Sequence, residues 1–362
     1  MRTIKINLGK RSYKIIIGNK IFSQIGKILN SLGIGNDSVI ITNPFLKKKL
    51  GFKLAGYLKR SGYTAKIETV PDTEKSKSAK QVFRLIDRIG KYDVKRRLFI
   101  IALGGGVVGD LSGFVAAIYK RGINYIQIPT TFLGQIDSAI GGKTAVDLSL
   151  GKNLVGAFYQ PRLVLSDISV LSSLDKKQIR SGLAEAIKYG IIKDKQLFEF
   201  IEKNHAKILS LNKTALEYIV YRCSAIKAKV VQVDEMETKG LRTILNYGHT
   251  IGHALETAGG YRDYSHGEAV ALGMIAAARI ARDLDMLDEK SCRRIKNLIS
   301  KVGLPSSVRK ISKSRLLNAT SHDKKFIRGK NRFVLPVRIG KVVVREGIPI
   351  SVIKKSIDSL IK

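Results

Sequence analysis

The chain of 362 residues has only two cysteines, Cys223 and Cys292, and no CxxC pair. That excludes a disulfide framework and a thiolate metal site, and it points to a reducing compartment, the cytoplasm. Acidic residues are also scarce: 29 Asp and Glu stand against 65 Lys and Arg, for a formal net charge of +36. Long hydrophobic runs are missing. The longest, Ala269–Ala278, ends at Arg279 and falls far short of the ~20 residues that span a bilayer, so no membrane partner is expected. No apolar stretch follows the charges of Met1–Lys10, and no signal peptide is expected there. The basic residues come in short groups such as Lys47-Lys48-Lys49 and Lys324-Lys325, without a basic arm, a zinc finger or an RNP signature. The charge is therefore expected to attract small anions from solvated faces, with no specific nucleic-acid partner.

What is present is an ordinary globular composition, 44% hydrophobic and 26% charged, at a length that suits two domains. The first half alternates. Strand-like runs at Tyr13–Ile17, Ser38–Thr42, Ala65–Val70, Leu98–Leu103 and Tyr125–Ile128 are separated by helical patterns at Lys20–Leu32, Pro44–Arg60, Ser76–Gly90 and Val107–Arg121. Such alternation predicts a mostly parallel sheet covered by helices, with ligands beyond the carboxyl ends of its strands. After Asp167 helical periods dominate, from Lys176–Ile192 to Glu289–Val302, and strands return only at Arg332–Val337 and Lys341–Arg345. The expectation is an α/β domain over 1–168 and a mainly α-helical domain over 169–362.

Two glycine-rich stretches follow strands. Leu98–Leu103 runs into Gly104-Gly105-Gly106-Val107-Val108-Gly109-Asp110, which satisfies GxGxxG through Gly104, Gly106 and Gly109. Glycines and a helix N-terminus can cradle a pyrophosphate, although the same glycines also serve tight helix–strand packing. The motif falls on a late strand–helix unit, so it is not an ordinary Rossmann fingerprint. In Ile140-Gly141-Gly142-Lys143-Thr144 the earlier glycine of a P-loop is replaced by Asp137, which argues against an NTPase. This second stretch is expected to be either a flexible loop that offers Lys143 and Lys152 to phosphate or an ordinary surface turn.

Three of the five histidines, His249, His253 and His266, fall within one short span. His249 and His253 are a helical turn apart and share a face. The cluster suits a metal or acid–base site, with a carboxylate from Glu185, Glu256 or Glu268. Thr250 follows His249, so the zincin protease pattern fails. Spacing alone leaves open which histidines would bind.

Taken together, Gly104–Asp110, Pro129-Thr130-Thr131, Asp137 through Thr144, Gly151-Lys152-Asn153, Ser181–Gly190, Leu245–Glu256 and His266-Gly267-Glu268 resemble the 3-dehydroquinate synthase family of sugar-phosphate cyclases. The resemblance implies a dehydroquinate-synthase-like, dinucleotide-binding α/β domain. It also implies a lyase of the shikimate pathway to chorismate and the aromatic amino acids. The implied reaction converts 3-deoxy-D-arabino-heptulosonate 7-phosphate to 3-dehydroquinate and phosphate, with bound NAD+ and one divalent metal, Zn2+ or Co2+. The metal would lie on Glu185, His249 and His266. Substrate-site positions match Asp137, Lys143, Asn153, Lys188, Lys227, Arg242, Asn246, His253 and one of Lys324 or Lys325. Arg121 matches an arginine that reaches a neighbouring subunit's site, which implies a homodimer. NAD-contact positions match Asn43, Asp72, Glu74, Lys77, Gly105, Gly106, Val107, Val108, Gly109, Asp110, Thr130, Thr131, Lys143, Lys152, Val170, Leu171, Ser172 and Ser173. The chain departs from the family pattern at Thr73, at Asp175 and in the longer Thr238-Lys239-Gly240 segment. The alternatives are a 2-deoxy-scyllo-inosose or valiolone-type synthase, or a metal-dependent polyol dehydrogenase.

Overall fold

The structure, a computed structural model, describes residues 1–93, 97–309, 311–321 and 331–361. It forms two compact units: Met1–Leu174 with Leu216–Met236, and Asp175–Ala215 with Glu237–Lys362. A stretch from the second half of the sequence therefore folds with the first.

The first unit is built on a seven-stranded sheet. Its strands are β1 (Arg2–Ile6), β2 (Tyr13–Gly18), β3 (Asp37–Thr42), β4 (Thr64–Thr69), β5 (Leu98–Gly104), β6 (Tyr125–Pro129) and β9 (Leu163–Asp167); β7 (Lys143–Leu148) and β8 (Gly151–Phe158) form a separate antiparallel hairpin. The order is β1-β2-β9-β6-β5-β3-β4, and every pair is parallel except β1 with β2. β5 is buried along its whole length, as expected of a strand covered on both faces. The winding reverses between β3 and β5, so Asn43 and the Gly104–Gly106 turn leave the sheet at its switch point, where open α/β sheets place ligands.

The Gly106–Ile118 helix follows that turn and buries Val108, Leu111 and Val115 against Val39, Ile41 and Ile100 of the sheet and Val146 of the hairpin. Its glycines permit close approach. A Cβ at Gly109 would lie 2.8 Å from Gln127 Oε1, and one at Gly113 would lie 2.4 Å from Thr144 Cγ2. The expected loop around Lys143 and Lys152 is thus corrected: both residues are exposed on the strands β7 and β8, a hairpin that buries Val146 of β7 against this helix. The Lys20–Leu32 helical pattern is also shorter than expected, reduced to Phe22–Gln24 and Ile25–Asn30.

The second unit is mainly helical, with a single hairpin of β10 (Arg332–Arg338) and β11 (Lys341–Glu346) among its described residues. Its Lys176–Lys193 helix starts at Asp175, which forms a capping box with Gln178. This gives the unusual Asp175 a local purpose, since an N-cap carboxylate satisfies helix N–H groups that would otherwise lack partners. From Gly182 to Ile192 the helix is buried on all sides, so any charge there needs a partner.

Candidate active site

Glu185 is that charge, 1% exposed in the middle of the buried helix. It pairs with Lys188, one turn along and 2% exposed. Two further helices bring histidines to it. His249 opens the His249–Ala258 helix and His266 opens the His266–Asp283 helix. These helices touch through glycine. Gly248, at φ +79°, precedes His249, and a Cβ on Gly273 would lie 1.9 Å from its carbonyl oxygen. His249 Nε2 lies 3.5 Å and His266 Nε2 lies 3.3 Å from Glu185 Oε1. The three ligand atoms sit within 4.8 Å of one another.

The rest of each histidine is committed. His249 Nδ1 is 3.1 Å from the Tyr247 carbonyl, and His266 Nδ1 is 3.3 Å from Glu256 Oε1. A proton on each Nδ1 leaves the Nε2 lone pair facing inward, the arrangement by which outer hydrogen bonds fix a metal-ligating imidazole. Burial, with Lys188 nearby, holds His249 well below the usual imidazole range. At His266 burial also opposes the charge, but hydrogen bonds to Glu185 and Glu256 outweigh it and push the pKa up to about 10. A divalent cation can replace that proton. One carboxylate and two imidazoles suit Zn2+ or a similar ion with a position left for substrate.

The three carboxylates that spacing left open thus separate. Glu185 faces both Nε2 atoms, Glu256 supports His266, and Glu268 accepts from Ser265 N at 2.8 Å, closing the helix start. His253 stands edge-on to His249 with ring centroids 5.4 Å apart. Arg242 is buried, its Nε 3.2 Å from Glu237 Oε1, on the short Leu241–Asn246 turn that also carries Asn246. Gly240, the last residue of the longer Thr238-Lys239-Gly240 segment, adopts φ +72° immediately before that turn.

In the first unit, a cleft of about 500 Å³ brings together Asp110, Asp137, Lys143, Asn153 and Lys227. Lys227 Nζ donates to both the carbonyl and Oδ1 of Asp137, each at 2.7 Å. Lys77 is buried and donates to Asp110 at 2.7 Å, while Lys152 lies 3.5 Å from Glu74. Ser138 and Thr144 also line this cleft; neither was singled out from sequence, although both stand within the Asp137–Thr144 stretch.

The remaining positions are more varied. Asn43 is buried and its side chain caps the next helix, accepting from Leu46 N at 2.7 Å. Asp72 is exposed. Gly105, Gly106 and Val107 are half-buried at the helix start, where a Cβ on Gly105 would lie 3.0 Å from Thr131 Cγ2, while Val108 and Gly109 are buried. Thr130 is buried, and Thr131 accepts from Gly134 N at 3.0 Å. Val170 and Leu171 are core residues, and the hydroxyls of Ser172 and Ser173 donate to carbonyls of their own turn. A ligand there would meet backbone more than side chain. Arg121 is exposed in a left-handed turn, φ +63°. Lys324 and Lys325 lie outside the described residues.

Solved structures share this architecture. The 2-deoxy-scyllo-inosose synthase complexed with carbaglucose-6-phosphate, NAD+ and Co2+ is 29% identical and superposes with a TM-score of 0.88 over 99% of this chain and 100% of that one. The 2-epi-5-epi-valiolone synthase from Streptomyces hygroscopicus subsp. jinggangensis, with NAD+ and Zn2+ bound, is 26% identical with a TM-score of 0.88 over 98% of both chains. The fold is thus that of the sugar-phosphate cyclases. Within that class, the family models described as 3-dehydroquinate synthase N-terminal and C-terminal match residues 67–181 and 182–326. The 3-dehydroquinate synthase of Desulforamulus reducens is 46% identical over 343 residues, covering 94% of this chain and 95% of the relative. The chain belongs to the 3-dehydroquinate synthase family.

Proposed function

We propose that this chain converts 3-deoxy-D-arabino-heptulosonate 7-phosphate to 3-dehydroquinate and phosphate, the carbon–oxygen lyase reaction of its family. The observation that carries the proposal is the buried carboxylate facing two imidazoles whose outer nitrogens are already engaged. Glu185, His249 and His266 hold the divalent metal. The turn from Gly105 to Asp110, with Asp72, Glu74, Lys77, Thr130, Thr131 and Lys152, holds NAD+. When bound, NAD+ supplies a hydride acceptor that is restored in each turnover, and the metal supplies a Lewis acid at the hydroxyl being oxidised.

The chain's own residues orient the substrate. Arg242 and Asn246 suit its carboxylate, since a guanidinium offers paired donors to two oxygens. Lys143 and Asn153 offer donors to its phosphate from one cleft. Lys227 fixes Asp137 through two hydrogen bonds, so that carboxylate is held in one orientation. Lys188 neutralises the buried Glu185 charge. His253 stands beside the metal ligands as a polar contact. The enzyme works in the cytoplasm as a homodimer, with the exposed Arg121 reaching the neighbouring copy. Phosphate release from the carboxylated heptulosonate phosphate, set against release from a hexose 6-phosphate, tests the assignment. Release from the carboxylated substrate is expected; release from the hexose phosphate alone would assign the chain to the 2-deoxy-scyllo-inosose type.

A further inference from the structure

Lys77 is 4% exposed, and a buried ammonium is stable only when paired. Its Nζ donates to Asp110 Oδ2 at 2.7 Å and also to Asn153 Oδ1. Its carbonyl accepts from Asp147 N at 2.7 Å. Asp147 Oδ1 in turn accepts from Asn153 N at 2.8 Å. Asn153 adopts φ +56°, a left-handed conformation that asparagine tolerates better than most residues and that here accompanies its bonds to Lys77 and Asp147. Three segments far apart in sequence thus converge on one side chain: the turn after β4, the helix after β5 and the β7–β8 hairpin. The hairpin also rests on the same helix, through Thr144 against Gly113 and Val146 in the shared apolar cluster.

We propose that Lys77 is a positioning residue that ties Asn153 and the β7–β8 hairpin to the dinucleotide-facing turn, so that filling the dinucleotide site orders the hairpin for the substrate. The proposal rests on the functional reading above, which places Lys77 and Asp110 toward NAD+ and Asn153 toward substrate. A ligand shifts an arrangement only if it binds that arrangement better. NAD+ against Lys77 and Asp110 favours the bridged state because both side chains then stand where it needs them. The coupling is reciprocal, so an anion held by the hairpin tightens NAD+ binding by the same factor.

Hydrogen–deuterium exchange on the full-length, zinc-loaded protein tests this. In the wild type, NAD+ slows exchange across Lys143–Phe158. Lys77→Met raises hairpin exchange about tenfold even without NAD+, the effect of losing a charge-assisted hydrogen bond, and saturating NAD+ no longer slows it. Asn153→Ala cuts the bridge but keeps the Lys77–Asp110 pair, and it produces the same loss of protection while retaining NAD+ binding. If Lys77→Met does not fold, Asn153→Ala decides alone. Inorganic phosphate tightens NAD+ binding in the wild type; phosphate that leaves NAD+ affinity unchanged overturns the reciprocal coupling. Wild-type hairpin protection in a variant saturated with NAD+ overturns the proposal, as does NAD+ binding to the wild type with no effect on the hairpin. Failure of the wild type to bind NAD+ instead overturns the functional reading, and the coupling falls with it.

Discussion

The metal-donor set depends on single atoms. His266→Ala removes one inward-facing nitrogen, and the predicted outcome is a folded protein that no longer holds stoichiometric metal or turns over; retained stoichiometric metal contradicts the assignment. Glu256→Gln keeps a polar partner for His266 Nδ1 but removes its charge. Loss of such an outer contact weakens metal affinity by roughly 10–100-fold, measurable by competition with a chelator; unchanged affinity would show that Glu256 is a bystander. Protons compete with metal as well. Without metal His266 titrates at about 10, so it carries a proton at neutral pH that metal must displace, whereas His249 is already neutral. Apparent zinc affinity should therefore rise by about tenfold per pH unit as pH increases toward that value, with about one proton released per ion. Affinity that stays flat with pH would mean that His266 is not a ligand. At this scale spacing made the histidines legible but left their carboxylate open among Glu185, Glu256 and Glu268, and only the family resemblance pointed to Glu185. A helical period puts Glu256 on the same face as His249, yet it says nothing of Glu185, which only folding brings close.

At the scale of elements, two helices meet closely enough that a single methyl group is too large. Gly273→Ala would place a Cβ against the Gly248 carbonyl. Overpacking of this kind costs about 1–3 kcal/mol, expected as a lowered urea midpoint together with weakened zinc binding, because the same contact sets the spacing of His249 and His266. An unchanged midpoint would mean that the helices separate without cost. The buried strands β3, β5 and β6 were legible because β-branched runs alternate with helical periods. The β7–β8 hairpin was not, since Gly141-Gly142-Lys143-Thr144 and Gly151-Lys152-Asn153 carry the composition of loops. Their antiparallel pairing, with Val146 of β7 buried in the cluster under the Gly106–Ile118 helix, makes strands of them. β1, with its exposed Arg2 and Thr3, and β9, five buried residues after Pro161, are too short to declare a period.

For the whole molecule, the net charge of +36 predicts weak association with any polyanion. Because such binding releases counterions, it should disappear as salt is raised to physiological levels; tight, sequence-selective binding at that salt would reopen a nucleic-acid role. The proposed reaction is an internal redox cycle, in which the substrate is oxidised only to be reduced again. The direct test supplies the zinc-loaded protein with heptulosonate phosphate and far less NAD+ than substrate, and follows phosphate and NADH together. The predicted result is many phosphates released per NAD+ with no net accumulation of NADH. Stoichiometric NADH, as a polyol dehydrogenase would give, or no phosphate at all, would contradict it.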